Sequence, residues 1–445
     1  MRLPTTLLTA SLLLSAPLAS HAAEAPDELQ RFGALFQATY IWQNKPAFQA
    51  PYSGANSLAP AKELSYSFTS TAFLGMRLGP DTELYFNPEL VQGVPMSHLT
   101  GLAGLTNGEL QKTAGSNPSV YRARLFVRHT WGLGGEREKV EAEPNQLAGL
   151  RDKHRLVLTA GNLAVTDIFD DNAYAHDSRT QFMNWSFLTH GAYDFAADAR
   201  GYTWGAALEY YLGDWAFRAG RFAQPVESNG LPLDFALARH YGDQVEIEKS
   251  YTLGGRPGTV RWLMFHNRAI MGGFEDALAY AAAHGTAPDV APVRRARTKR
   301  GWGINLEQTV SDNAGVFLRW GRNDGAAETY AFAEIDRSLS FGLTVTGASW
   351  GRASDTLGLA YARNGLSQAH RDFLAAGGYG FFVGDGQLPN YRPESIVESY
   401  YSIGLDVPHL QHSAVTLGFQ HISNPAYNAD RGPVKVFTVR LHTEF

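Results

Sequence analysis

Cysteine does not occur in the 445-residue sequence, so disulfides, thiol catalysis and cysteine-ligated zinc are all excluded. Long apolar runs are missing too. Although 44% of the residues are hydrophobic, no run reaches the ~18 apolar residues that a membrane-spanning helix needs. The 38 lysines and arginines are outnumbered by 43 acidic residues and form no basic stripe, which excludes a typical nucleic-acid-binding protein.

Glycine and aromatic residues, by contrast, are abundant. The chain has 45 glycines, and its 9 Trp, 20 Tyr and 25 Phe amount to 12% of the sequence. Disordered chains are poor in aromatic residues, whereas strands are enriched in them and turns are enriched in glycine. The composition therefore predicts an ordered protein that is rich in β structure.

The first 22 residues resemble a secretory signal peptide. Arg2 supplies the positive start, a short leucine-rich segment supplies the apolar core, and Ser20 and Ala22 are the small residues that cleavage needs. An exported chain without cysteine suits a Gram-negative bacterium, because eukaryotic secreted proteins more often carry disulfides. We predict a signal peptide over 1–22, a short periplasmic N-terminal segment over 23–32 and an outer-membrane domain over 33–445.

After this segment, apolar and polar side chains alternate with a period of two, as strands with two different faces require. In the first strand, Phe36 and Trp42 fall on one face whereas Gln37 and Gln43 fall on the other. The connectors alternate between tight turns and long loops, and aromatic residues mark the strand ends. These features predict an all-β protein: a transmembrane antiparallel β-barrel with long extracellular loops and short periplasmic turns.

The alternation and the connector lengths together give sixteen strands, and bacterial single-chain barrels have an even number. Thr329–Ile335 could form a seventeenth strand, and we place it in a long loop to keep the number even. The connector 133–153 is long where a short turn is expected. The approximate strand cores are 33–43, 65–78, 82–91, 120–131, 154–163, 201–212, 214–223, 242–252, 259–268, 299–310, 314–321, 338–348, 355–363, 394–404, 413–423 and 434–445.

The C-terminal strand ends on Phe445, with Phe437, Val439 and Leu441 at alternate positions before it. A terminal phenylalanine that closes an alternating strand resembles the assembly signal of outer-membrane barrels. We therefore predict that Phe445 is recognised by the barrel-assembly machinery.

Several blocks of polar and aromatic residues stand out between the predicted strands. They are Asp170–Asp177 continuing through Arg179–Trp185, Asn323–Gly325 with Glu328, Glu334–Asp336, Trp350–Arg352, Gly384–Gly386, Asn424–Asn428 and Arg431–Pro433. Together they resemble the carbohydrate-selective outer-membrane porins, the OprB-like family. The resemblance covers most of residues 30–445 and implies a sixteen-stranded barrel for the passive uptake of small sugars. Ser178 departs from the family pattern, in which proline is more usual.

Charged residues on alternate strand positions are the candidate pore-lining groups. Charge on the lipid face of a barrel costs about 2–4 kcal/mol near the membrane midplane, so these positions are expected to face the lumen. On this argument the evenly spaced Arg122, Arg124 and Arg128 all point inward. The complete candidate set is Arg77, Glu83, Glu89, Arg122, Arg124, Arg128, Glu209, Arg218, Glu246, Glu248, Glu307, Arg319, Glu394, Glu398 and Arg440.

The third long loop carries further charge, in Asp167, Asp170, Asp171, Asp177 and Arg179. We expect this loop to fold into the lumen and narrow it. Carboxylates are also calcium ligands, but the spacing fits no EF-hand, so the sequence does not decide whether calcium binds here.

These observations favour an outer-membrane channel for passive diffusion of small, neutral carbohydrates into the periplasm, with a constriction that exchanges hydrogen bonds with the solute. Two alternative functions are an anion or polyuronate channel, in which arginine dominates the constriction, and a structural barrel with a plugged lumen. The alternative role for the inward charges is that Arg–Glu pairs only brace the wall. No H-E-x-x-H, phosphate-binding-loop or G-x-S-x-G motif occurs, so we predict no enzyme activity and no cofactor. The expected partners are small sugars, outer-membrane lipid and lipopolysaccharide, and the assembly machinery, with no nucleic acid. The sequence leaves open whether the barrel is a monomer or a homotrimer.

Overall fold

The computed structural model describes residues 29–113, 115–330, 334–408 and 410–445. The predicted signal peptide, 1–22, lies outside these residues. The described chain is built mainly of strands, sixteen of which form one closed antiparallel barrel. No helix among the described residues is long and apolar enough to cross a membrane.

All sixteen predicted strands are present, and each pairs with its neighbours in chain order. β16 pairs with β1, which closes the barrel through a register that includes Tyr40 opposite Leu441. The strands are β1 (Phe32–Lys45), β2 (Glu63–Gly79), β3 (Thr82–Val94), β4 (Gly115–Gly132), β5 (Arg155–Leu163), β6 (Thr203–Leu212), β7 (Trp215–Phe222), β8 (Tyr241–Leu253), β9 (Arg256–Met271), β10 (Arg295–Ser311), β11 (Ala314–Asn323), β12 (Arg337–Gly347), β13 (Arg352–Gly365), β14 (Glu394–Leu405), β15 (His412–Ser423) and β16 (Val434–Glu444).

The predicted alternation separates the two faces of the wall. In β1, the inward Gln37 and Gln43 are buried, whereas Tyr40 on the outer face is exposed. In β16, Arg440 is buried inside, whereas Leu441 beside it is exposed outside. A closed barrel pairs every strand edge, so the backbone polar groups are satisfied without water on the lipid side.

The connectors are asymmetric, as the sequence predicts. Most turns at one end of the barrel are short, such as residues 213–214 between β6 and β7. In outer-membrane barrels the short-turn end is periplasmic. The other end carries eight long loops, which we number L1 (46–62), L2 (95–114), L3 (164–202), L4 (223–240), L5 (272–294), L6 (324–336), L7 (366–393) and L8 (424–433).

Among the described residues, three of the eight long loops contain an α-helix or a two-stranded ribbon. L5 holds α1 (Phe274–His284) and L7 holds α2 (Gln368–Ala375), while a two-stranded ribbon, Gln224–Pro225 with Leu233–Asp234, lies in L4. Thr329–Ile335 lies in L6, and its described residues 329, 330, 334 and 335 are not in a strand.

One short-turn connector is exceptional, as its length suggested. Residues 133–154 form a hairpin in which Arg137–Val140 pairs with Gly149–Asp152. We call this segment the periplasmic hairpin.

The hydrophobic core lies inside the barrel, where L2 and L3 pack against the inward faces of the strands. Phe182 of L3 contacts Phe187 of the same loop at 5.4 Å between ring centroids, and it contacts Phe317 and Tyr400 of the wall at 5.7 and 5.0 Å. All four rings are buried. The expectation that L3 folds into the lumen is therefore confirmed.

Candidate functional site

One group of inward charges holds the loops in place. Arg319 on β11 donates hydrogen bonds to the carbonyls of Ala175, Phe187 and Asp170 at 2.5, 2.7 and 2.9 Å. Its guanidinium also lies 3.4 Å from the Asp170 carboxylate. A single wall side chain therefore fixes three points of the L3 backbone.

The last barrel strand fixes the same loop at another point. Arg440 on β16 donates to the carbonyls of Ser178, Gln181 and Thr180 at 2.8, 2.7 and 2.9 Å. Five hydrogen-bond donors on a planar guanidinium suit this role, because each carbonyl of a loop needs a partner once it is buried.

Two glutamates on β14 bind the loops through the opposite kind of backbone group. Glu398 accepts from the amides of Met183 and Asn184 in L3 at 2.7 and 2.9 Å. Glu394 accepts from the amides of Ala103 and Gly104 in L2, at 3.0 and 2.9 Å, and from an amide of L8.

Six of the predicted pore-lining residues consequently do not face open space. They do point inward, but each has at most 1% of its surface exposed, because the loops cover them. Glu89 binds Arg179 of L3 at 2.8 Å, and Glu246 accepts from the amide of Asp170 at 2.8 Å. The prediction that they line the open pore is wrong for Glu89, Glu246, Arg319, Glu394, Glu398 and Arg440.

Arg122 is a second correction, because it lies on the outer face. The pairing of β3 with β4 shifts between Asn87 and Pro88, where Asn87 lies opposite Arg124 and Pro88 lies opposite Arg122. Ala123 is the extra residue of this β-bulge, and one extra residue reverses the faces of the strand beyond it. Arg122 instead stacks over the ring of Trp204 outside the barrel, at 5.1 Å.

Arg124 and Arg128 remain on the inward face and are only partly buried. Arg124 forms two 2.6 Å hydrogen bonds with the Asp167 carboxylate of L3 and lies over the ring of Tyr202. Burial opposes the ionisation of Asp167, but the charge and hydrogen bonds of Arg124 outweigh it and hold the pKa of this carboxyl below its usual range. Arg128 lies 5.3 Å from the centre of the Tyr85 ring.

Farther around the wall, β6 to β10 carry a chain of ion pairs. Arg218 on β7 contacts Glu209, Glu246 and Glu248 at 3.2, 2.8 and 3.0 Å. Glu248 also accepts from Arg261 at 2.7 Å, and Arg261 lies 3.3 Å from Glu307. Arg77 and Glu83, both predicted to face inward, form another ion pair 2.9 Å long near the short-turn end.

Two cavities lie between these charged side chains. The first has a volume of about 500 Å³ and is lined by L2, L3, Arg124 and the tip of the periplasmic hairpin. The second, of about 430 Å³, is lined by the stem of that hairpin and by Arg77, Glu83 and Glu209. Arg128, Gln146 and Asp167 line both cavities, and we call these three residues the neck.

Comparison with known proteins now identifies the family. The family model described as carbohydrate-selective porin, OprB family, matches residues 55–445. The chain belongs to this family. It is an outer-membrane porin for carbohydrates, as the sequence predicts.

The solved structures that are similar to this porin agree in fold. The high-pH structure of Pseudomonas putida OprB superposes with a TM-score of 0.69 at 16% identity, covering 93% of this chain and 94% of that one. The low-pH structure of the same protein gives a TM-score of 0.51 at 13% identity, with 93% of each chain covered. No curated protein matches this porin in sequence.

Sequence reasoning missed several charged groups that the porin places beside the first cavity. Glu109 and Lys112 of L2 lie 3.6 Å apart, and Glu109 also accepts from Arg179 at 2.9 Å. Burial opposes the ionisation of Glu109, but Arg179 and Lys112 outweigh it and lower the pKa of its carboxyl. L2 has no strand periodicity, so nothing in the sequence marks these residues as inward. Arg261, in contrast, has an inward position that the alternation of β9 predicts.

The described part of L3 offers no cluster of ligands for the calcium site considered above. Among the residues that the structure describes, no three His, Cys, Asp or Glu side chains are grouped as a metal site. In L3, Asp167 is paired with Arg124, while Asp170 accepts from Asn305 at 2.7 Å. The carboxylates of this loop therefore neutralise cationic side chains and bind amides.

Proposed function

We propose that this porin passes small neutral sugars by passive diffusion, without chemical conversion, and that the two cavities and their neck form the route. The observation that carries the proposal is the balance of charge along the route. The first cavity is lined by the cations Lys112, Arg124, Arg128 and Arg179 and the carboxylates Glu109, Glu143, Asp167, Asp177 and Glu444. The second is lined by Arg77, Arg128, Arg137, Arg151 and Arg155 and by Asp81, Glu83, Asp152, Asp167 and Glu209.

This balance favours a neutral solute over an anion. An anion channel needs a surplus of positive charge at its narrow part, whereas here each cavity has nearly equal numbers of the two signs. A hydrated sugar hydroxyl both donates and accepts, so it can bond to a carboxylate and to a guanidinium in turn. Because these bonds replace similar bonds to water, the exchange is nearly balanced, and the sugar can both enter and leave.

Aromatic rings supply the remaining contact surface. Phe126, Trp185 and Tyr202 line the first cavity, and Tyr211 lines the second. A pyranose ring has apolar faces that can lie against such rings, so we infer that they guide the sugar between the charged groups.

Single-channel recording in planar bilayers tests this proposal. We expect glucose to block the ionic current more strongly than glucuronate of the same concentration, and the reversal potential in a salt gradient to show weak ion selectivity. Strong anion selectivity with preferential block by glucuronate would instead support the polyuronate channel. No measurable open-pore current would support a plugged barrel.

We further propose that lipopolysaccharide binds the outer wall at its loop end. The exposed arginines of five consecutive strands, β9 to β13, face outward there. None of them forms an ion pair with a carboxylate of the described residues, and Arg322 lies directly opposite Arg337 in the sheet, where like charges repel. The five are Arg268, Arg300, Arg322, Arg337 and Arg363.

The position of these arginines suits the phosphates of lipid A. Arg300 and Arg322 each lie two residues nearer the loops than Trp302 and Trp320, whose rings contact at 4.9 Å. Tryptophan marks the membrane interface in barrels, so the guanidinium groups lie at headgroup height. We expect replacement of all five by glutamine to lower the lipid A phosphate that copurifies with the folded barrel. The control is Arg352→Gln, which removes an exposed arginine at the short-turn end and should leave the copurifying lipid A phosphate unchanged.

A further inference from the structure

The periplasmic hairpin extends into the barrel from the end where the other connectors are short. Its stem, Arg137–Val140 paired with Gly149–Asp152, is charged and exposed at its outer side, with ion pairs such as Arg137 with Asp152 at 3.3 Å. The residues between the two short strands, 141–148, turn inward and reach the inner wall.

Hydrogen bonds fix the inner part of the hairpin to the wall. Arg128 donates to the carbonyl of Asn145 at 2.8 Å, and the amide of Leu147 donates to the hydroxyl of Tyr85 at 3.2 Å. Ala148 exchanges two hydrogen bonds with Gln30, at 2.7 and 3.2 Å. Each of these contacts joins the hairpin to a different element of the barrel or of the preceding segment.

Packing fixes it as well. Leu147 is only 3% exposed and belongs to the same buried cluster as Tyr85 and Phe126. Two glycines make room for it: a Cβ on Gly33 or Gly75 would lie 2.8 or 3.1 Å from the Leu147 Cδ2 atom. The wall is therefore shaped to receive this side chain.

We propose that the periplasmic hairpin forms a second, fixed constriction of the channel, on its periplasmic side, and that Gln146 is a specificity-determining residue there. Gln146 lines both cavities, opposite Arg128 of the wall and Asp167 of L3. The neck thus takes one side chain from each of three elements: a cation, a carboxylate and an amide. This inference rests on the proposed diffusion of sugars, because it states what the solute meets after L3.

The amide of Gln146 gives the neck a group that both donates and accepts without charge. A sugar hydroxyl bonds equally well to either atom of that amide. In the hairpin, Gln146 Nε2 donates to the carbonyl of Glu141 at 2.9 Å, and its Oε1 accepts from Arg151 at 3.4 Å. These bonds orient the amide, and each of its two atoms keeps one further hydrogen-bonding site. The second constriction accordingly selects for solutes that fit between the hairpin tip, Arg128 and Asp167 and that carry hydroxyls.

Single cysteines provide a direct test, because the native sequence has none. We expect a charged methanethiosulfonate reagent to reduce the current of the Gln146→Cys pore by roughly half or more, since it adds bulk at the narrow part of the route. The matched control is Lys139→Cys, an exposed stem position that lines neither cavity, and its current should not change. If labelling changed the current of the two variants by the same fraction, the proposal would be overturned.

Removal of the hairpin is the second test. Deletion of residues 136–151 leaves Gly134, Gly135, Asp152 and Lys153 as a turn between β4 and β5, whose ladder remains. We expect roughly a twofold or larger rise in conductance, weaker block by glucose, and passage of a trisaccharide such as maltotriose in liposome swelling. Leu147→Ala, which keeps the chain length, should raise conductance less.

The outcomes separate the two proposals. If the native pore is blocked by glucose but the deletion leaves conductance and block unchanged, the constriction at the hairpin is refuted and sugar diffusion stands. If the native pore shows no glucose block at all, the proposed function fails first, and cysteine labelling of Gln146→Cys still shows whether the hairpin narrows the ionic pathway.

Discussion

The two halves of the barrel wall carry the same kinds of inward charge but use them differently. On β10 to β16, which we call the anchoring wall, Arg319, Glu398 and Arg440 bind backbone groups of the loops. On β2 to β9, which we call the channel wall, L3 covers Glu89 and Glu246. Arg124 there pairs with the partly exposed Asp167, and Arg218 pairs with carboxylates of the wall itself. An inward charge therefore does not always line the pore. Whether it does depends on the group that it binds: a buried loop backbone, or a side chain that stays near water.

The physical reason is the cost of burial. A loop folded into the lumen loses water from its amides and carbonyls, and each unpaired group costs about 1–3 kcal/mol. Charged side chains with several donors or acceptors satisfy many such groups from one wall position. Where no loop covers the wall, the charges remain near water and pair with each other, so they stay available to a solute.

The largest effect is expected at the seam that joins the anchoring wall to β1. Phe445 exchanges two backbone hydrogen bonds with Phe36, at 2.7 and 2.9 Å, and its ring stacks on Phe36 with centroids 5.7 Å apart. Deleting Phe445 removes these contacts and the predicted assembly signal, so we expect most of the folded, heat-modifiable barrel to disappear from outer membranes. Phe445→Tyr, which keeps a terminal ring, should retain it. Normal yield after the deletion would show that closure does not depend on this residue.

The next largest effect should follow from releasing L3 from the anchoring wall. The double variant Glu398→Ala with Arg440→Ala leaves two amides and three carbonyls of L3 without their wall partners. We expect noisy current, conductance raised severalfold and faster proteolysis within 164–202.

The control for this variant also removes one carboxylate and one guanidinium, but from the outer wall. Arg221 lies 2.7 Å from Asp243 there, and replacing both by alanine should leave conductance unchanged. If the L3 double variant conducts like the native porin, the anchoring wall does not position the loop that narrows the channel.

The same comparison explains what the sequence could predict. Strand number and inward or outward face follow from the period of two, and even the short β11 was placed correctly. The prediction that Arg122 faces inward was wrong because a β-bulge adds one residue to the strand and reverses the faces beyond it. Nothing in the alternation marks Ala123 as that extra residue.

The open part of the channel was harder to predict than the wall. Arg440 and Arg124 both occupy inward positions in their strands. L3 covers Arg440 but leaves Arg124 partly exposed, and the alternation within the strands does not distinguish the two cases. Glu109 of L2 and Gln146 of the periplasmic hairpin lie outside the barrel strands, where periodicity carries no information about direction. Which residues line the open channel therefore depends on how the loops pack, and that packing is set by contacts between residues far apart in sequence.

A smaller effect should follow from changing the channel wall. Replacing Arg124 and Arg128 by alanine removes positive charge beside Asp167 while L3 keeps its anchors. We expect selectivity to shift toward cations, conductance to rise modestly and glucose block to weaken, measured by reversal potential and current noise. Arg122→Ala is the control, because that side chain faces outward beside Trp204. This variant should change none of the three properties. Unchanged selectivity in the double variant would mean that the two arginines only brace the wall.

The smallest effect concerns pH and a histidine of L3 that lies against the anchoring wall. His190 is fully buried beside Gly303 and Gly321, stacks on Tyr193 with ring centroids 5.1 Å apart, and lies near Asp170 and Arg319. Burial lowers its pKa from 6.5 to about 4, an effect that Asp170 opposes and Arg319 reinforces. Between these two pH values a released L3 binds a proton that the packed L3 does not, so acid favours release. The packing of L3 should thus be strongest above pH 6.5 and weaken progressively as the pH falls toward 4. We expect current noise from loop motion to increase over this window in the native porin, and His190→Leu, which cannot take up a proton, to reduce that increase. If the noise of the two pores depends on pH equally, other groups of the lumen govern the acid response.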